Sequence, residues 1–137
     1  MKKINGFTLF ELLVSISIIG ILMAIATVSY SSAQKKARDA RRMEDMTSIQ
    51  KAAEVYYSQN SYSYPTQAQL TSSGVLQAFP SDPKTGTLTP YTYGLTGGTS
   101  GYCACATLDS ATGNANVADC TAFVNGTGTL YCVRNQQ

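Results

Sequence analysis

The chain of 137 residues contains no histidine and no tryptophan. Without histidine, Ser/His/Asp and Cys/His nucleophiles have no base, and most zinc enzymes lose their usual ligand. Charge is scarce as well: beyond Glu54 only Lys84, Arg134, Asp82, Asp109 and Asp119 carry any. That region is rich in Ser, Thr, Gly, Asn and Gln, a hydroxyl-rich surface compatible with the outside of a cell and unlike a nucleic-acid-binding face. No Walker loop occurs. The glycines of GLTGGTSG, Gly94 to Gly101, precede no helical pattern and suit a hairpin loop better than a phosphate cradle. No catalytic residue, cofactor-binding residue or metal ligand is expected, and the chain reads as a non-enzyme.

Helix-breaking punctuation is also missing from much of the chain. Between Ile21 and Gly74 the only proline or glycine is Pro65, and from Leu12 to Val28 there is no charge. A helix needs about 20 apolar residues to cross the hydrocarbon of a bilayer, and Phe7 to Tyr30 meets that length if Glu11 and a few hydroxyl side chains are tolerated. Past Tyr30, Ala33, Ala37, Ala40, Met43, Met46, Ile49, Ala53 and Tyr56 recur at steps of three or four. That spacing predicts one apolar stripe, with Lys35, Lys36, Arg38, Asp39, Arg42, Asp45 and Gln50 mostly off it. One helix from Thr8 to Gln59 would be about 75 Å long at about 1.5 Å per residue, a length usually built for assembly.

After Asn60 the texture changes to Pro, Gly, Ser and Thr. Gln67–Ser73 suits one short helix, and Tyr91–Leu95, Tyr102–Leu108 and Thr129–Arg134 read as short extended segments of an antiparallel sheet of three or four strands. So small a sheet needs a partner layer, and the stripe of the long helix is the available one. The fold class expected is α+β, divided as 1–6, 7–30 (the membrane-inserted half of the helix), 31–60 (its amphipathic continuation) and 61–137 (loops and sheet).

The N-terminal block MKKINGFTLFELLVSISIIGIL resembles the class III leader and mature N-terminus of type IV pilins and pseudopilins. It has a short basic leader with Lys2 and Lys3, Gly6 before the cut, Phe7 after it, and Glu11 at the fifth mature position. The resemblance implies removal of residues 1–6 by a prepilin peptidase that also methylates the new amine of Phe7. It implies insertion in the inner or cytoplasmic membrane with residues 31–137 outside, contact with an inner-membrane assembly platform, and polymerisation into a helical homo-oligomeric filament at the cell surface. There Glu11 would lie near the Phe7 ammonium of a neighbouring subunit, so that two charges costly to bury alone become tolerable as a pair.

Further along, FPSDPKTGTLTPYTYG is similar to a loop of major pseudopilins of type II secretion in Pro80, Asp82, Pro83, Pro90, Tyr91 and Tyr93. It lacks that family's tryptophan after Asp-Pro, where Lys84 stands, and no acidic cluster follows to bind calcium through several oxygens. Val28 lies near where many family members place a helix-bending proline.

The function expected is a structural subunit of a type IV pilus, with a major pseudopilin of a secretion system as the alternative. A membrane-anchored extracytoplasmic binding domain is the rival of another class. An ordinary signal peptide, with Ala24-Ile25-Ala26 before a cut at Thr27, also accommodates the N-terminus but leaves Glu11 and the Gly6-Phe7 junction as coincidences, and a plain signal anchor does not account for the helix continuing beyond the membrane. Lys35, Lys36, Arg38, Arg41 and Arg42 outnumber the leader lysines, against the positive-inside rule for this topology; they read as a solvated or inter-subunit helix face, with no specific nucleic-acid partner expected. Of the four cysteines, Cys103 and Cys105 are expected to form disulfides separately with Cys120 and Cys132, in either of the two possible connectivities, because neighbours two apart on a strand are poorly placed to bond each other. The nine tyrosines read as core and surface aromatics.

Overall fold

The structure, a computed structural model, describes residues 6–86, 91–110, 113–115 and 125–136. Two units are distinguished along the chain, residues 1–34 and residues 35–137. One helix, α1, Leu9–Gln59, contributes to both. Its end at Gln59 falls where the sequence places it and its start one residue later, because nothing in between interrupts the backbone hydrogen bonds and Asn60–Ser63 then turns the chain through two positive-φ residues, Ser61 and Tyr62.

In the first unit the apolar part of α1 is exposed along its length, from Leu9 at 82% to Ile25 at 62% and Val28 at 74%. The hydroxyl groups within it are spent on the helix itself. Ser15 donates to the Glu11 carbonyl at 2.7 Å, Ser17 to Leu13 at 2.8 Å and Thr27 to Ala24 at 3.0 Å, which removes most of the objection to placing them in hydrocarbon.

The second unit is α1 from Lys35 onward, a short helix α2, Gln67–Ser72, and a five-stranded antiparallel sheet. A capping box starts α2: Thr66 accepts from the Gln69 amide while the Gln69 side chain accepts from the Thr66 amide. The strands are β1 (Tyr91–Thr96), β2 (Gly101–Thr107), β3 (Gly113–Ala115), β4 (Asn125–Gly128) and β5 (Leu130–Arg134), in spatial order β1-β2-β5-β3-β4. The three extended segments expected from sequence are β1, β2 and β5; β3 and β4 were not foreseen, because GNA and NGTG carry no alternating apolar pattern. Gly113 is required in β3, since a Cβ there would collide with the backbone carbonyl of Leu130.

The period of two along β2 sorts its side chains onto two faces. Tyr102, Ala104 and Ala106 belong to the cluster that holds Met46, Ile49, Ala52 and Ala53 of α1 together with Tyr64 and Leu70. Cys103 and Cys105 belong to a second cluster with Ala115, Leu130 and Cys132. Cys105 faces Cys132 in the β2–β5 register, and the two form a disulfide across a Cα separation of 4.1 Å. Cys103 is disulfide-bonded as well. Cys120 lies outside the described residues.

The face that α1 buries departs from the apolar stripe read in the sequence. Met46, Ile49 and Ala53 are buried, but Ala33, Ala37 and Ala40 are exposed, and the buried positions above Met46 are Asp39, Arg42 and Asp45. The upper part of the buried face is therefore ionic. Arg38 and Arg42, expected on a solvated or inter-subunit surface, turn inward because carboxylates from elsewhere in the unit meet them; Lys35, Lys36 and Arg41 remain exposed. The Arg42 Nε donates to Asp82 at 2.6 Å, and its Nη1 to Asp39 at 3.1 Å. Arg38 forks onto one oxygen of Asp109 at 3.0 and 2.8 Å. Asp39 also accepts from the amides of Asp109 and Ser110, and Asp45 accepts from the Tyr91 hydroxyl at 2.6 Å.

Most of the tyrosines serve this packing. Tyr64 and Tyr102 are buried, with ring centroids 5.0 Å apart, and Tyr57 stacks on Tyr64 at 4.3 Å. The Tyr64 hydroxyl donates to Glu54 at 3.2 Å; burial first and that carboxylate second push the phenol up to about 12. The Tyr93 hydroxyl donates to the Pro65 carbonyl at 2.7 Å.

Candidate functional site

The residues expected to matter most lie at the start of α1. Gly6, Phe7 and Thr8 precede the helix and are exposed, Phe7 at 80%. A peptidase needs the scissile carbonyl accessible and free of helical hydrogen bonding, and the Gly6–Phe7 bond is outside the helix and exposed.

Glu11 is the third residue of α1. Its Oε2 accepts from the Thr8 amide at 2.9 Å and from the Thr8 hydroxyl at 2.8 Å, while the Glu11 amide donates back to Thr8 Oγ1 at 3.3 Å. This is a capping box, in which orphan amides at a helix start are satisfied reciprocally, and a carboxylate in the first turn also complements the helix dipole. The pattern Thr-x-x-Glu in Thr8-Leu9-Phe10-Glu11 is its sequence signature, but the sequence reading credited Glu11 with an intermolecular role alone. The carboxylate of a single chain thus already has partners, and it is held toward the end of the helix where cleavage after Gly6 would create a new ammonium.

Phe7, Phe10, Glu11, Val14 and Ser15 surround one shallow depression there. From Leu12 to Gln34 no residue carries a charge. Soluble proteins rarely expose contiguous apolar patches above a few hundred Å², and here every large apolar side chain from Phe7 to Val28 is exposed. The length and composition of this segment suit a membrane span. It is built to be covered by lipid or by other apolar helices, with one carboxylate at its head.

Elsewhere, the described residues include no group of three or more His, Cys, Asp or Glu side chains placed to hold a metal ion. Asp39, Asp82 and Asp109 converge, but on the Arg42 guanidinium. Asp82, Tyr91 and Tyr93 of the pseudopilin-like stretch have structural work: the Tyr91 and Tyr93 hydroxyls tie β1 to Asp45 of α1 and to Pro65, and Asp82, between Pro80 and Pro83, meets Arg42.

No curated protein matches the chain. Residues 1–27 match the family model of the prokaryotic N-terminal methylation motif, which takes in Lys2, Lys3, the Gly6–Phe7 junction, Glu11 and the following apolar helix. Such a motif implies processing by a prepilin peptidase, anchoring in a membrane before assembly, and filament formation in general. With a long N-terminal helix packed on a small antiparallel sheet behind it, the chain carries the N-terminal signature of the type IV pilin and pseudopilin family.

Proposed function

We propose that this chain is a structural subunit of a type IV pilus, cleaved after Gly6, methylated on Phe7, and assembled through its apolar helix into a cell-surface filament. The observation that carries this is the pairing of an uncharged, exposed helical segment with a single oriented carboxylate, Glu11, at its head. A plain anchor needs the first and has no use for the second. In the filament the Glu11 carboxylate would exchange its Thr8 partners, in whole or in part, for the Phe7 ammonium of a neighbour. The chain has no catalytic role in this reading.

A major pseudopilin of a type II secretion system is the second reading, favoured by Pro80, Asp82, Pro83, Pro90, Tyr91 and Tyr93. Mass spectrometry of the mature N-terminus and electron microscopy of sheared surface material from the same cells separate the possibilities. An N-methylated Phe7 with long surface fibres is expected. Short fibres confined beneath the outer boundary of the cell would transfer the assignment to a pseudopilin. Mature protein starting at Thr27, or a cleaved chain that forms no fibre at all, would overturn it.

A further inference from the structure

The segment that resembles the calcium-binding loop of major pseudopilins raises a question of charge. A calcium ion takes about six to eight oxygen ligands, several of them carboxylate. From Phe79 to Leu95 the sequence holds one carboxylate, Asp82, and it is buried. Both of its oxygens are engaged. Oδ1 receives the Arg42 Nε at 2.6 Å, and Oδ2 receives the amides of Lys84 at 3.1 Å and Thr85 at 3.0 Å and the Thr85 hydroxyl at 3.3 Å. The turn closes through the Gly86 amide on the Asp82 carbonyl at 2.8 Å. The donor set does not fit a divalent ion: one oxygen of this carboxylate already faces a cation that belongs to the chain, and the other is taken by the donors of its own turn.

That cation also gathers two more carboxylates. Arg42 Nη1 lies 3.1 Å from Asp39 and 3.4 Å from Asp109, and the Arg42 side chain is 3% exposed. We propose that the Arg42 guanidinium is the resident cation on which Pro80–Gly86 is ordered, and that this segment neither takes up nor requires calcium. Fork geometry suits the role, since a planar guanidinium addresses Asp82 and Asp39 from different nitrogens at once. The inference stands apart from the choice between pilus and pseudopilus, because it concerns only residues of the folded unit.

Lys84 is exposed at the tip of the turn, while Lys51 is exposed in the middle of regular helix. Trypsin cutting after Lys84 therefore reports local order, and cutting after Lys51 reports unfolding of the unit. Full-length protein in detergent is digested with millimolar Ca²⁺ or with EDTA, as wild type, Arg42→Gln and Asp82→Asn. Wild type should be cut after Lys84 at the same rate in both buffers. Each variant should be cut there about tenfold faster or more, the scale set by losing a charge-assisted hydrogen bond, and Asp82→Asn should keep Lys51 protected. Should Arg42→Gln expose both sites, the Asp82→Asn result decides. Protection of Lys84 by Ca²⁺ in wild type, or an unchanged Lys84 rate in Asp82→Asn, overturns the proposal.

Discussion

Replacing Ile49 by alanine should destabilise the folded unit and leave the N-terminal half of the same helix untouched, whereas replacing Ile19 should do the reverse. Ile49 is wholly buried in the cluster with Met46, Ala53 and Tyr102. Truncation removes three carbons, worth about 2.5 kcal/mol of transfer at about 0.8 kcal/mol each. The residual cavity adds to this, and measured Ile-to-Ala changes in cores run from about 2 to 5 kcal/mol. The neighbours include β2 of the sheet, whose backbone pairing limits collapse, so about 3–4 kcal/mol is expected. For a unit of roughly 100 residues, each kcal/mol lowers the melting temperature by about 4–8 °C, hence a fall of about 12 °C or more. Ile19 is 56% exposed and has no such cluster. Near-UV circular dichroism of detergent-solubilised full-length protein gives the melts, and sheared-fibre yield from cells carrying each variant gives assembly. Ile19→Ala should melt like wild type and reduce fibre yield. An Ile49→Ala melt within about 2 °C of wild type would refute the packing argument, and a lowered Ile19→Ala melt would refute the separation of the two halves.

Glu11→Val should leave leader cleavage and membrane abundance intact, or raise abundance by removing a charge from the span, and should abolish fibres because a neighbour's Phe7 ammonium would be buried unpaired; normal fibres from the cleaved variant would sink the pairing role, and lost cleavage would reassign Glu11 to peptidase recognition. Acid should loosen the folded unit by a route the structure specifies. Burial opposes ionisation of Asp82, but the Arg42 hydrogen bond and the Thr85 and Lys84 amides outweigh it and hold the carboxyl below its ordinary range. The Arg38 hydrogen bond, chiefly, does the same for Asp109. Because both folded pKa values are depressed, the stabilisation is present above the unfolded aspartate value near 3.9 and drains away as pH falls through the folded values. Melting temperature should be level from about pH 7 to 5 and drop below about pH 4, and an Arg42→Gln chain should show a shallower drop; equal slopes would count against it.

How much of this was legible from sequence depended on whether a local signal existed. The span of α1 was, since a stretch without Pro or Gly and with apolar or helix-forming residues throughout has one low-energy option. So, to within one residue, were the edges of α2 and of β1, β2 and β5, which lie between turn residues. The buried face of α1 was not. Ala33, Ala37 and Ala40 continue the spacing of Met46 and Ile49, so a periodicity count assigns them to the core, but what selects the face is the position of Asp82 and Asp109, 40 and 71 residues away from their arginines. No window of local sequence contains that information. The strands β3 and β4 were hidden for the opposite reason: Gly-Asn-Ala and Asn-Gly-Thr-Gly have the composition of a loop, and Asn114 joins β5 through its side-chain amide, which donates to the Cys132 carbonyl at 2.9 Å and accepts from the Cys132 amide at 2.7 Å. At the site itself the family pattern exposed Glu11 and obscured Thr8, although Thr-x-x-Glu is readable as a cap without any family.

The ionic face of α1 bears on time as well as on stability. Its ties close loops of 40, 46 and 71 residues, and contacts at such separations form only after much of the chain has been arranged, because closing a long loop costs entropy before any contact repays it. Interactions absent from the folding transition state act almost wholly on the rate of unfolding. Asp109→Asn should therefore steepen loss of the native form in denaturant by raising the unfolding limb of the chevron while the refolding limb stays where it is; a slowed refolding limb would place these ties early instead. In the proposed role, a subunit made once and left in a fibre outside the cell would be served by a long native lifetime more than by quick folding, and the buried arginine and its aspartates are placed to lengthen that lifetime.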